Sequence, residues 1–295
     1  MGIQAHMAHA EIKVVAGTLL RDARQARLQR TLALVAGLTS GASGLEVAYM
    51  HYRGSYSRRI MWTPIVMSQV LLAAGVAGAM KPRLARTLLP AVSAVTLADC
   101  ATGFVFHLRG IARKPGGWRL LVPNVPMGPP PLAPLLFGVS AYLGILASRM
   151  TPEDSDRHDS PEMRETLRQH VAAATAFAAL CSGTEALYSH YKNGFHYAAQ
   201  YTPLIVAPAL AATALASLSR GGAQGKRKAL AGLSAAAMLD GAVGMAYHAR
   251  GVLRRPGGRK HLMYNIMYGP PVLAPLLFAA CGFLGLLASA IRGRQ

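Results

Sequence analysis

Eight blocks of mostly apolar residues, separated by short basic loops, constrain this chain more than any other feature. They run Thr31 to Met50, Ile60 to Met80, Thr87 to Phe106, Leu132 to Ser148, Val171 to Tyr188, Thr202 to Leu218, Leu230 to Tyr247 and Val272 to Ile291. About 17–25 mostly apolar residues suffice to cross ~30 Å of hydrocarbon. Helix is the expected conformation, because a spanning segment in lipid must satisfy its own backbone hydrogen bonds. A soluble bundle with buried helices is the alternative. Against it stand the number of blocks and the lack of a periodic polar face within them. Charged residues make up only 15% of the chain, against roughly a quarter in ordinary soluble domains. The sequence therefore predicts an all-α integral membrane protein with about eight transmembrane helices.

The blocks fall into two sets of four. Ser43-Gly-Leu-Glu-Val-Ala-Tyr-Met-His-Tyr52 returns as Ser182-Gly-Thr-Glu-Ala-Leu-Tyr-Ser-His-Tyr191, and Thr63-Pro64 returns as Thr202-Pro203. Asp99, His107, Arg109 and Gly110 return as Asp240, His248, Arg250 and Gly251, and Asn124 returns as Asn265. Pro115-Gly-Gly, Gly128-Pro-Pro and the run Leu132 to Phe137 also recur in order. Matches in register along the whole length are the mark of an internal repeat. Four helices per copy is an even number, so both copies are expected to enter the membrane in the same orientation, as a parallel repeat. The predicted organisation is a polar and basic tail at 1–27, a first four-helix repeat at 28–150, an acidic linker at 151–168 and a second repeat at 169–291. Ile12, Val15 and Leu19 suit either a short interfacial helix or a frayed tail. No cleavable signal peptide is read in that tail.

The side carrying both termini, side A, holds 18 of the 31 Lys and Arg, and side B holds 13. Basic residues favour the cytoplasm, so cytoplasmic termini in a cell (inner) membrane are expected. Eight of the 12 acids lie on side A. The other four, Glu46, Asp99, Glu185 and Asp240, lie within predicted helices. Side B is thus basic without compensation, which suits anionic lipid, an acidic peripheral protein or an anionic ligand. Nucleic acid is not expected, because the basic residues form no soluble domain.

Carboxylates inside a bilayer are costly and face a partner or a cavity. Glu46 and Asp99, with Glu185 and Asp240, are predicted to form an intramembrane polar site with Tyr49, Tyr188, Asn124 and Asn265; a purely structural buried hydrogen bond, from Glu46 to Tyr49 or to an Arg such as Arg109, is the alternative. Glu46 and His51 point ~140° apart on one helix, so a metal chelate would need several helices. Haem is better supported, because membrane cytochromes often hold iron between two His of different helices. His51 with His107, and His190 with His248, are the candidate pairs, with Arg109 and Arg250 as propionate partners. Interfacial His that merely cap helix ends are the structural alternative. Cys100, Cys181 and Cys281 are odd in number and read as packing residues. The apolar stretches Leu120 to Pro131 and His261 to Val272 suit an interfacial segment, a lid or a plain turn.

No P-loop, nucleophile elbow or dinucleotide fingerprint occurs, and no catalytic residue is assigned. Three readings remain. One is a membrane redox subunit that binds haem b or quinone and docks a peripheral partner. Another is a proton- or anion-coupled transporter or channel. The third is an assembly or anchor protein without catalysis.

Overall fold

The structure, a computed structural model, describes residues 2–150, 161–219 and 224–291, with side chains from Arg27 onward. The described residues are helical with no strand. The helices are α1 (Gly2–Arg53), α2 (Thr63–Met80), α3 (Pro82–Ala112), α4 (Leu121–Asn124), α5 (Ala133–Ser148), α6 (Pro161–Lys192), α7 (Thr202–Ala216), α8 (Gln224–Leu253), α9 (Leu262–Tyr268) and α10 (Leu273–Ala290). Seven of them are long and apolar enough to cross a membrane. The eighth, α5, is apolar but has 16 residues, about 24 Å at ~1.5 Å per residue.

Local chemistry accounts for the helix starts. Pro64, Pro82, Pro134 and Pro203 sit in first turns, where a missing N–H costs nothing. Pro90 and Pro208 lie inside α3 and α7, as a packed membrane bundle tolerates. The segment 2–27 is not set off from α1, whose backbone runs unbroken from Gly2. Residues 161–168 of the expected linker form the start of α6, while 151–160 lie outside the described residues, as do the side chains of Ile12, Val15 and Leu19.

In the first half α1 packs on α2, α2 on α3, α3 on α5, and α5 back on α1. In the second half α6, α7, α8 and α10 close a ring in the same order. The halves meet through α5 against α6 and α1 against α10. Small residues permit these approaches, since helix pairing in lipid rests on close van der Waals contact. The core is built largely of Ala, with Ala33, Ala36, Ala172, Ala179, Ala211 and Ala288 buried. Large apolar side chains face outward instead: Val66, Val95, Ile205 and Leu239 are each more than half exposed. A soluble bundle would expose contiguous apolar surface at great cost; a lipid-facing one gains from it. The architecture is that of a polytopic membrane protein.

Candidate functional site

The matched polar residues of side B reach partners through the turns that join the helices. Beyond α1 the chain reverses through Ser55 and Tyr56, both at positive φ, and beyond α6 through Gly194 and Phe195, also at positive φ. The turn aromatics stack on residues just before the next helix, Tyr56 on Trp62 at 4.1 Å and Phe195 on Tyr201 at 4.7 Å. His51 Nδ1 then meets the Met61 carbonyl at 2.7 Å, and His190 Nδ1 meets the Gln200 carbonyl at 2.7 Å.

The turns after α3 and α8 are built alike. Gly116 and Gly257 have φ of 75° and 77°, a left-handed conformation that strains any residue with a Cβ. Asn124 Nδ2 donates to the carbonyls of Pro115 and Gly117 at 3.0 and 2.8 Å, and Asn265 Nδ2 to those of Pro256 and Gly258 at 3.3 and 3.1 Å. These asparagines staple the Pro-Gly-Gly turn and are not part of a shared polar site. His107 Nδ1 meets the Pro130 carbonyl at 2.5 Å and His248 Nδ1 the Pro271 carbonyl at 2.6 Å. Each imidazole therefore pins the end of the interfacial stretch back onto its helix.

Removing such a staple exposes its cost. Asn265 is buried, and Asn265→Ala leaves two carbonyls without their donor, at about 1–3 kcal/mol for each one that stays dry. The thermal midpoint in detergent should fall by several degrees and proteolysis should open at Arg254 to Lys260. An unchanged midpoint would show that water replaces the amide.

Each aspartate accepts one hydrogen bond from the start of a neighbouring helix, Asp99 from Thr63 Oγ1 and Asp240 from Thr202 Oγ1, both at 2.5 Å. The Thr-Pro pair, noted in the sequence only as a repeat marker, is thus the aspartate's partner. His190 lies within electrostatic range of Asp240, and the imidazoles of each half lie within such range of one another, His107 of His51 and His248 of His190. Arg109 and Arg250 are exposed at the same rim.

The glutamates behave differently from each other. Glu185 Oε1 accepts a hydrogen bond from the Leu132 N–H at 2.7 Å, capping α5 of the other half. Glu46 lies beside Tyr49 one turn away, close enough for the two side chains to interact, though the buried Glu46 Oε2 and Tyr49 Oη make no hydrogen bond of good geometry. Neither glutamate bonds the aspartate of its own half. Lys192 reaches across the seam, within electrostatic range of Glu185, Arg53 and Lys114, and Tyr188 lies near Glu185.

Two matched features escaped the sequence reading. Gln29 Nε2 donates to the Gly78 carbonyl at 3.3 Å, and Arg168 donates to that of Ser217 at 2.5 Å; applying the 139-residue offset throughout α1 and α2 would have paired them. The second is a row of residues on the seam, Thr39, Ser43, Ser140, Ser182 and Cys281, too mildly polar to stand out in an apolar block. Cys100, Cys181 and Cys281 are free and buried. Among the described residues no group of three or more His, Cys, Asp or Glu is arranged to hold a metal ion.

Comparison with protein-family models, curated proteins and solved structures finds no match to this chain. The functional reading rests on its own geometry.

Proposed function

We propose that the chain is a membrane redox subunit that holds haem b between the paired imidazoles of each half. The observation that carries this reading is the state of the four histidines. All four tie Nδ1 to a backbone carbonyl. That bond selects the tautomer with the proton on Nδ1 and leaves the Nε2 lone pair for iron, the outer-shell arrangement typical of ligating imidazoles. Among the described residues no Nε2 of these four histidines has a hydrogen-bond partner. Within each half the two imidazoles come from helices that stand across the ring, α1 with α3 and α6 with α8, where bundles build cofactor sites between facing helices. Arg109 and Arg250, two residues beyond His107 and His248, are the propionate partners in this reading.

The reading includes the arrangement in the membrane. Two four-helix units lie parallel, α5 crosses despite its length, and the termini face the cytoplasm. The uncompensated basic rim of side B then receives an acidic peripheral protein that exchanges electrons with the haem. The like order of helix packing in the two halves and the recurring hydrogen bonds support the parallel arrangement. Reporters fused after Met80, after Ser148 and at Gln295 should share one sidedness, and reporters between Arg53 and Arg59 or between Arg113 and Arg119 should have the other. A reporter after Ser148 opposite to one at Gln295 would sink the parallel repeat.

The test of the function is the visible spectrum of the purified protein after expression with ample haem. A Soret band and an α band that sharpen on reduction are expected. A colourless protein rejects haem, and quinone found in its organic extract would assign the rim to quinone instead.

A further inference from the structure

The seam between the halves carries chemistry that the paired imidazoles do not use. A cavity of about 40 Å³ lies on it, lined mainly by Leu, Val and Ala but also by four hydroxyls and one thiol; its volume admits a few waters at ~10–15 Å³ each, held where those hydroxyls face it. Its lining comes from α1, α5, α6 and α10 in matched pairs: Ser43 with Ser182, Ser140 with Cys281, and Thr39 with Ala178. Thr39 Oγ1 and Ser140 Oγ, on α1 and α5 of the first half, bond each other at 2.8 Å beside the seam. A hydroxyl offers one donor and two acceptor sites, so this pair keeps capacity for water. Thr39, Ser43 and Glu46 follow at four and three residues along α1, a single stripe at ~100° per residue. Ser182 and Glu185 repeat that spacing on α6. Both glutamates therefore stand about one turn above the cavity, toward side B.

The two carboxyls are not equivalent. Glu185 is engaged by the Leu132 N–H at the start of α5, whereas Glu46 Oε2 is buried and receives no N–H, its one nearby donor being the Tyr49 hydroxyl on its own helix. A buried carboxyl oxygen faced by no donor but one tyrosine hydroxyl calls for a proton or a bound cation, because an ionised carboxylate there is costly. The cationic groups on this part of the seam, Arg53 on the same helix and Lys192 and Lys114 facing it, lie at the rim and oppose a further metal cation. We propose that the seam is a proton-binding site, with Glu46 as the acceptor and water in the axial cavity connecting it to the hydroxyls below. Glu185 serves as its fixed counterpart, holding the halves together.

Infrared difference spectroscopy of the full chain in nanodiscs tests this, since a protonated carboxylic acid has a C=O stretch that shifts in D₂O. A pH-responsive band of this kind is expected in the parent protein, lost in Glu46→Gln and kept in Glu185→Gln. Glu46→Asp should retain a band at a shifted frequency, which keeps the assignment testable if the amide variant folds poorly. A band unchanged in both Glu46 variants overturns the proposal. So does a parent protein with no such band at any pH where it stays folded, or a band abolished by sodium or potassium at constant pH, which would mark a metal-cation site. None of these outcomes depends on haem being bound.

Discussion

Replacing His107 by Asn should remove about half of the reducible absorbance and leave the fold in place. The asymmetry of the imidazole explains why. Nδ1 holds the Pro130 carbonyl, and the asparagine amide presents an N–H near that position, so the interfacial stretch stays pinned. Nothing in asparagine reaches the position of Nε2, so iron loses one axial ligand in the first half only. His248→Asn should remove the other half, and the double variant nearly all of it. Arg109→Gln should leave the iron bound and shift its midpoint potential, because in the proposed arrangement it acts on the propionates and not on the metal. His107→Asn with full absorbance would remove His107 from the coordination sphere, whatever gives the colour.

Gly75→Leu should abolish most of the folded protein. A Cβ at Gly75 would lie 2.6 Å from the Ala33 carbonyl oxygen and 2.8 Å from Gly37 Cα. Both obstacles are backbone of α1, so neither can rotate away, and α1 and α2 must part. Overpacking of a core costs about 1–3 kcal/mol where side chains can yield, and this site lies at or beyond the upper end. About 3 kcal/mol is roughly a hundredfold in the ratio of folded to unfolded chains. Gly232→Ala is the control: nothing lies within 4 Å of a Cβ there, and Ala favours the helix by up to ~1 kcal/mol. Monodisperse yield and thermal midpoint in detergent should drop sharply for Gly75→Leu and hold or rise for Gly232→Ala. Equal behaviour of the two would show that α1 and α2 do not pack as described.

The helices were legible because crossing a bilayer is a demand on length and polarity along one dimension. The limits of each block were less so. α3 runs Pro82–Ala112 where the apolar block covers Thr87 to Phe106, since a helix continues past the hydrocarbon for as long as its backbone bonds are met. The candidate residues were legible as matched pairs, but their roles were not. Asn124 and Asp99 were grouped with Glu46 as one polar site; the fold instead sends Asn124 to its own turn and Asp99 to Thr63. Their partners lie 7–9 and 36 residues away, and matching residues between halves carries no information about them.

By itself the sequence determined the class of fold and the order of the helices, because hydropathy is a property of the chain alone. Only the tertiary structure decided which atom each polar group met. The stretches around Glu46 and Glu185 read almost alike, yet Glu185 caps α5 of the other half while Glu46 faces Tyr49 of its own helix. The physical reason is that a buried carboxyl is satisfied by whatever donor the packing of a distant helix delivers to it. The seam where α5 meets α6 delivers the Leu132 N–H to Glu185, whereas the donor beside Glu46 is the Tyr49 hydroxyl of its own helix.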